Sequence, residues 1–274
     1  MELKTATKTL HLSKRTHIMG ILNVTPDSFS DGGNYTTIEK AIGQAKRMEQ
    51  EGADIIDIGG ESTRPGHIPI SSKEEVERVV PVIKAIKEHV NLPISIDTFK
   101  AETARHAVEA GADMINDIWG AKKDPEIANV VREYNVPIIL MHNRDNENYQ
   151  TLIDDMKKDL EGSIEIALKA GVRRENIILD PGVGFAKSGT DNLVVMNNLE
   201  QFVQMGYPLL LATSRKRFIG STLNITEPTK RDIGTGATTC LGIVKGAHMV
   251  RVHNVRLNVE LARMMDTMLR EGRR

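Results

Sequence analysis

Short apolar runs bounded by Gly, Pro, Asn or Asp recur along the chain: Ile18–Leu22, Asp54–Ile58, Pro93–Ile96, Asp113–Ile115, Pro137–Met141, Ile177–Leu179, Pro208–Leu211 and Met249–Val252. They are rich in Ile, Leu and Val and mostly lack polar alternation, as strands do when both faces of a parallel sheet are covered. Between them, apolar positions recur at helical spacing. Thr37 is placed to cap a helix carrying Ile38, Ala41, Ile42, Ala45 and Met48. Ser72 and Glu75 have capping-box spacing before Val76, Val79, Val80, Ile83 and Ile86. Asp124-Pro125 reads as an N-cap with proline at the first helical position. Residues 148–170 make a longer helix, and 254–271 make the last. Glu51-Gly52-Ala53-Asp54, Ala110-Gly111-Ala112-Asp113 and Lys245-Gly246-Ala247-His248 repeat one phrase, a glycine where a helix ends and then a strand. Eight such units in about 250 residues predict an α/β fold, a closed (β/α)8 TIM barrel rather than an open doubly wound sheet. No linker or composition shift interrupts 1–274, which reads as a single domain.

Composition narrows the class. The 274 residues carry 36 Lys and Arg against 37 Asp and Glu, a net charge of −1. That argues against a nucleic-acid binder, which relies on a basic excess. No apolar run approaches the ~18 residues of a membrane span, so no membrane partner is expected. The single cysteine, Cys240, excludes a disulfide framework and a cysteine metal cluster, and fits a reducing cytoplasm. Residues 1–17 are basic, with Lys4, Lys8, Lys14 and Arg15 against Glu2, but lack the apolar stretch of a secretory signal. Thr9-Leu10-His11-Leu12 alternates and Ser13-Lys14-Arg15 can turn, which predicts a short N-terminal hairpin. A transit peptide is the alternative.

In such a barrel the C-terminal strand ends carry the active site. The residues that follow the runs are, in order, Asn23; Gly59-Gly60-Glu61-Ser62-Thr63-Arg64; Asp97; Asn116-Asp117; His142; Asp180; Thr213-Ser214-Arg215-Lys216; and Arg251 with His253. One turn-forming polar residue per loop is ordinary. This many amides, carboxylates and cations on one rim point to a site. Phe29, Phe99, Trp119, Phe185 and Phe218, half of the aromatics, fall near the same ends and are expected to offer flat surfaces to a planar ligand. Asp97, Asn116 and Asp180 suit a heterocycle with several N–H donors. Arg64, Lys216, Arg251 and His253 suit phosphate or carboxylate, and barrels often hold phosphate near strands 7 and 8. A ligand with a heterocyclic head and an anionic tail fits both sets.

Two longer motifs sharpen this. Gly20-Ile21-Leu22-Asn23-Val24-Thr25-Pro26-Asp27-Ser28-Phe29-Ser30-Asp31-Gly32-Gly33 and Asp57-Ile58-Gly59-Gly60-Glu61-Ser62-Thr63-Arg64-Pro65-Gly66 resemble the two signatures of the dihydropteroate synthase family of pterin-binding enzymes. Ser95-Ile96-Asp97-Thr98, Ile115-Asn116-Asp117-Ile118, Leu179-Asp180-Pro181-Gly182-Val183-Gly184-Phe185, Ser214-Arg215-Lys216-Arg217-Phe218-Ile219-Gly220 and Arg251-Val252-His253 continue the resemblance in order. The family joins 6-hydroxymethyl-7,8-dihydropterin pyrophosphate to 4-aminobenzoate, releasing pyrophosphate and 7,8-dihydropteroate. The resemblance therefore implies a transferase of folate biosynthesis with Mg²⁺ as cofactor, two small-molecule substrates, a homodimer, and sulfonamides as mimics of the aminobenzoate.

It also assigns residues. Asp97, Asn116, Asp180 and Lys216 match the pterin-holding positions, with Thr63 and Phe185. Arg251 matches the position that stacks on the pterin and meets phosphate. Asn23, Arg64 and His253 fall on the pyrophosphate side, with Asn23 as the Mg²⁺ ligand. Phe29, Thr63, Pro65 and Lys216 match the aminobenzoate pocket. Lys216, Asp97 and Arg251 take the catalytic roles. Without the motifs each has a plainer reading: Asp97 as N-cap of a helix at Lys100, Asn116 as a turn residue, Lys216 in a solvated basic run, His253 at a helix start, Asn23 holding a turn before Pro26. Two rivals share part of the pattern. A corrinoid-linked methyltransferase would share contacts like those of Asp97, Asn116 and Asp180, but has no reason for the Thr25–Gly33 and Ser62–Gly66 loops or Lys216. A catalytically silent pterin binder would be marked by loss of Lys216, Asn23 or Arg251. Ala212 stands where many relatives have Gly. His142 reads as rim structure rather than a metal ligand. Gly234-Thr235-Gly236 follows no strand and is set aside as a dinucleotide loop. Cys240 reads as buried and inert.

Overall fold

The computed structural model describes residues 1–24, 34–61 and 69–272. Strands β1 (Glu2–Lys4) and β2 (Thr9–His11) pair antiparallel. Eight parallel strands follow: β3 (His17–Asn23), β4 (Ile55–Gly59), β5 (Ile94–Asp97), β6 (Met114–Asp117), β7 (Ile138–Met141), β8 (Ile177–Asp180), β9 (Leu210–Leu211) and β10 (Met249–Val252). They pair in the order β8-β7-β6-β5-β4-β3-β10-β9, and a parallel bridge between Leu179 and Leu209 joins the outer members. The result is the predicted (β/α)8 barrel with its N-terminal hairpin. Helices α1 (Asn34–Glu51), α2 (Ser72–Lys87), α3 (Ala101–Glu109), α4 (Glu126–Tyr134), α5 (Leu152–Lys169), α6 (Gly189–Asn197), α7 (Leu199–Val203), α8 (Arg217–Leu223), α9 (Asp232–Val244) and α10 (Val255–Glu271) make the connections and the outer layer.

The strands do alternate, but between two buried faces. Ile18, Leu22, Ile56, Ile58, Ile96, Leu140, Leu179 and Val252 belong to the apolar layer shared with the helices. Met19, Ile55, Met114, Ile139, Ile178, Leu210 and Met249 form a second cluster inside the barrel, together with Leu3, Leu10 and Leu12. The hairpin is therefore a plug on the N-terminal end of the barrel. Two residues further along, the inward rows turn polar: Ile55 leads to Asp57, Met114 to Asn116, Ile178 to Asp180 and Met249 to Arg251. A dry, sealed bottom and a polar top follow from that one step.

Several helix starts differ from the sequence expectation. Helix α1 begins at Asn34, ahead of Thr37, and α5 begins at Leu152. The cap of α2 is Ser71, whose Oγ accepts from the Glu74 N–H at 3.2 Å. Glu75 turns inward instead of back to a cap, and its carboxylate accepts from Thr98, Lys100 and Thr103. Asp124 does not cap α4; its Oδ2 accepts from the Ala101 N–H at 2.7 Å and so caps α3. The repeated glycine phrase is as read: Gly52, Gly111 and Gly246 follow helix ends with φ of +95°, +112° and +93°. Among the described residues no helix is long and apolar enough to cross a membrane.

Candidate active site

Strand register brings the polar residues to one level. Asn23 lies beside Gly59, Gly59 beside Asp97, and Asp97 beside Asn116 across β3 to β6. Asp180 ends β8, and Arg251 reaches in from β10.

At the centre, one guanidinium joins two carboxylates. Arg251 Nε donates to Asp57 Oδ2 at 2.5 Å, and Arg251 Nη2 donates to Asp97 Oδ2 at 2.6 Å. Asn116 Nδ2 donates to the same Asp57 oxygen at 3.2 Å. Asp57 Oδ1 and Asp97 Oδ1 are buried without a hydrogen-bond partner among the described residues. A buried acceptor in that state costs about 1–3 kcal/mol, which a ligand bearing N–H donors recovers. Burial pushes Asp97 up to about 7, against the pull of Arg251 and with the push of Asp57, Glu75 and Asp117. Asp97 thus pairs with Arg251 rather than capping a helix.

A second group forms at β8. Asp180 Oδ1 accepts from the Gly182 N–H at 2.7 Å. Burial pushes Asp180 up, while Lys216 and the Gly182 bond hold it down. Lys216 Nζ donates to the Val183 carbonyl and stands 4.6 Å from the centre of the Phe185 ring. Gly184 makes this approach possible: its φ is +90°, and a Cβ there would lie 2.7 Å from Lys216 Cδ. Burial brings Lys216 down to about 8, with Asp180 and Asp97 opposing and Arg251 assisting. The basic run is split by its backbone. Arg215, at φ +59°, makes a two-point pair with Asp232 at 2.7 and 2.9 Å, and Arg217 is exposed. Lys216 alone of the three faces Asp180.

A third group joins β9 to β10 and includes Asn23 at the end of β3. Ser214 Oγ accepts from the His253 backbone N–H at 3.1 Å and stands 2.8 Å from His253 Nδ1. The Ser214 hydroxyl thus ties both the backbone and the ring of His253 to the β9 end. Asn23 Oδ1 lies over the end of β4, where a Cβ on Gly59 would come within 3.4 Å of it and 3.7 Å of Asp97 Cβ. No group of three His, Cys, Asp or Glu suited to a metal occurs among the described residues. A single amide oxygen there fits a hard cation that arrives with its own phosphate oxygens rather than one caged by the protein.

Phe29, Thr63, Arg64 and Pro65 lie outside the described residues. Of the other aromatics expected at the rim, Phe185 stands against a site cation, Trp119 lies under Lys123 at 4.2 Å, and Phe218 packs into the outer core. Cys240 is half-buried rather than buried. Sequence reasoning passes over Asp57, which is fully buried at the heart of the site. Its signal is a carboxylate two residues after Ile55, on the inward side of a strand.

Residues 19–253 match the family of pterin binding enzymes. The dihydropteroate synthase of Bacillus subtilis (strain 168) is 57% identical over 270 residues, covering 98% of this chain and 94% of that protein. The crystal structure of dihydropteroate synthase from Clostridium difficile in the presence of pteroic acid has a TM-score of 0.93 at 50% identity, over 95% of this chain and 99% of that one. The Xanthomonas albilineans dihydropteroate synthase with 4-aminobenzoic acid has a TM-score of 0.93 at 40% identity, over 98% of each chain.

Proposed function

The chain belongs to the pterin-binding enzyme family, and from that premise we propose that it condenses 6-hydroxymethyl-7,8-dihydropterin pyrophosphate with 4-aminobenzoate to 7,8-dihydropteroate and pyrophosphate. The observation that carries the reading is the Arg251 guanidinium shared by Asp57 and Asp97, on the same rim as Asn116, Asp180 and Lys216. Its two unpartnered carboxylate oxygens are suited to ring N–H donors of a pterin.

The C–O bond from the pterin CH₂ breaks with its electron pair leaving on pyrophosphate. The amine lone pair of aminobenzoate forms the C–N bond, and the nitrogen then gives up a proton to solvent. A dihydropterin ring spreads positive charge, so bond breaking runs ahead of bond making. With Asp97 ionised, above about pH 7, two carboxylates against one guanidinium leave one net negative charge beside that ring. At about 5 Å and an effective dielectric of about 20, one charge is worth roughly 3 kcal/mol. That corresponds to roughly a hundredfold in rate. Arg251 and His253 face the departing phosphates. Asn23 would hold Mg²⁺ in part through its amide oxygen, and the ion, when bound, would supply further neutralisation of the leaving group. The arylamine is neutral at pH 7 and needs no strong base. In this reading Phe29, Thr63 and Pro65 line the aminobenzoate side with Lys216, Arg64 serves the phosphates, and sulfonamides compete with aminobenzoate.

We also propose a cytoplasmic homodimer. Ile233, Leu241 and Val244 on α9 and Met264 and Met268 on α10 expose apolar side chains on packed neighbouring helices, and a second copy of the chain would cover them. Val244→Glu should then give monomers in sedimentation, and a wild-type monomer refutes the point. The activity is tested by pyrophosphate release. Release requiring both substrates, with 7,8-dihydropteroate as product, supports it; pterin uptake without product favours the silent binder.

A further inference from the structure

We propose that Lys187, backed by His142 and Asp159, is a positioning residue that sets the 182–185 turn against Lys216 and thereby governs how tightly the pterin ring is held. This rests on the pterin reading above.

Lys187 is buried and lies outside the residues assigned to substrates; burial, with Lys216 nearby, pushes its ammonium down to about 7, against the pull of Asp180. Its Nζ meets three acceptors: Phe185 O at 2.8 Å, Gly182 O at 3.0 Å and His142 Nδ1 at 3.0 Å. An ammonium has three N–H groups, and all three are used. With Nδ1 accepting, the proton of His142 sits on Nε2, which donates to Asp159 Oδ2 at 3.0 Å. Asp159 also accepts from Arg144 Nε. The chain of groups is cation, neutral imidazole, carboxylate, cation. Burial keeps the fully enclosed His142 neutral, lowering it to about 4.

The carbonyls that Lys187 binds bracket Val183 and Gly184. Val183 O accepts from Lys216, Gly184 leaves room for the lysine stem, and Phe185 lies against its ammonium. The turn needs outside ties because Gly182, Gly184 and Ala186 all have positive φ, the last without the freedom of glycine. Asn192 Oδ1 accepts from Gly184 N–H at 2.5 Å and Tyr149 Oη donates to Ala186 O at 2.7 Å, which secures the flanks. Lys187 secures the middle. Its charge also acts on Asp180, helping to hold that carboxylate down against burial. One buried ammonium thus shapes the seat of Lys216 and supports the ionised form of Asp180.

The test compares wild type, Lys187→Met, His142→Gln and His142→Leu. Calorimetry measures binding of 6-hydroxymethylpterin, which lacks the pyrophosphate, and pyrophosphate release gives KM and kcat. Lys187→Met removes the donors at nearly constant volume and should weaken pterin binding about tenfold or more, with KM for the pterin substrate rising in step. His142→Gln should stay within about threefold of wild type, because the amide can accept from Lys187 and donate to Asp159 as the neutral ring does. His142→Leu should fall with Lys187→Met. A role in packing alone would not separate Gln from Leu in this way. Should Lys187→Met fail to fold, the His142 pair decides on the same criterion. Wild-type pterin affinity in Lys187→Met, or equal loss in Gln and Leu, overturns the proposal. A wild-type protein that binds no pterin overturns the family reading instead.

Discussion

Asp57→Asn isolates the charge arrangement at the centre of the site. The side chain is fully buried and the replacement is isosteric, so packing is preserved while one negative charge is lost. Arg251 is left with Asp97 as its carboxylate partner, and the trio becomes neutral. Both changes act on Asp97 in one direction. The like charge that raises it is gone, and the guanidinium that lowers it is no longer shared. At about 5 Å and an effective dielectric of about 20, the removed repulsion is roughly 3 kcal/mol, at most about two pH units. Relaxation and water cut that to about one unit. The lost charge-assisted bond to Arg251 costs about 1.5–3 kcal/mol in the transition state, or about 10–100-fold in kcat/KM. The assay is kcat/KM for the pterin substrate, by pyrophosphate release, from about pH 5 to pH 9. Below its pKa Asp97 is protonated and no longer balances a cationic ring, so the rate falls as pH falls. Wild type should show that limb near 7. In Asp57→Asn it should move down by about one unit while the plateau drops about tenfold or more. Stability has the opposite slope with pH, but the variant should shift it in the same direction. A buried carboxyl raised above its unfolded value favours folding at low pH and loses that contribution as pH climbs towards 7, and the variant should shift that window downward. An acid limb that stays in place, or moves up, would refute the electrostatic coupling between Asp57 and Asp97.

The barrel was legible because eight apolar runs and their glycine-ended helices share one rhythm, and tertiary packing did not override it. What apolarity could not show was parity. Ile55 and Ile56 look alike in sequence, yet one faces the barrel interior and the other the helices. Asp57 was hidden by this, since a lone carboxylate inside an apolar run has no visible partner until β10 brings Arg251 across. Spacing alone misplaces a cap where the capping group serves another element, as Asp124 does for α3. The run Arg215-Lys216-Arg217 gave no hint of which side chain turns inward, because the choice is made by a positive φ at Arg215 and by Asp232. Lys187, two residues beyond the 179–185 motif, is hidden in sequence for a related reason: its acceptors include an imidazole from the β7 end, which only the closed barrel brings within reach. The polar rim itself could be read because strand ends are where the chain changes from apolar to polar. The loops bearing Phe29, Thr63, Arg64 and Pro65 rest on the motifs alone.

Lys216→Ala should retain the fold and lose kcat/KM by about a hundredfold or more, since one ammonium serves Asp180, the pterin and the aminobenzoate side; near-wild-type turnover in a folded variant would remove Lys216 from the mechanism. The alkaline limb of the pH profile should lie near 8, where Lys216 loses its charge, and Lys216→Arg should abolish that limb even at reduced rate. Asn23→Ala should raise the Mg²⁺ needed for half-maximal activity more than it weakens 6-hydroxymethylpterin binding, because a lost metal ligand acts only where the phosphates are; equal effects on both would make Asn23 a shaping residue. Gly184→Ala tests the seat of Lys216 without touching the lysine. The new methyl would stand 2.7 Å from Lys216 Cδ and is strained at a φ of +90°, so the turn and the flexible stem both shift and the ammonium is displaced from Val183 and Phe185. Both substrates should lose affinity together, whereas Gly189→Ala, at the start of α6 with no atom within 4 Å of its Cβ position, should change neither. Gly184→Ala with unaltered binding of both substrates would show that the close approach of the turn to Lys216 is not what orients the ammonium.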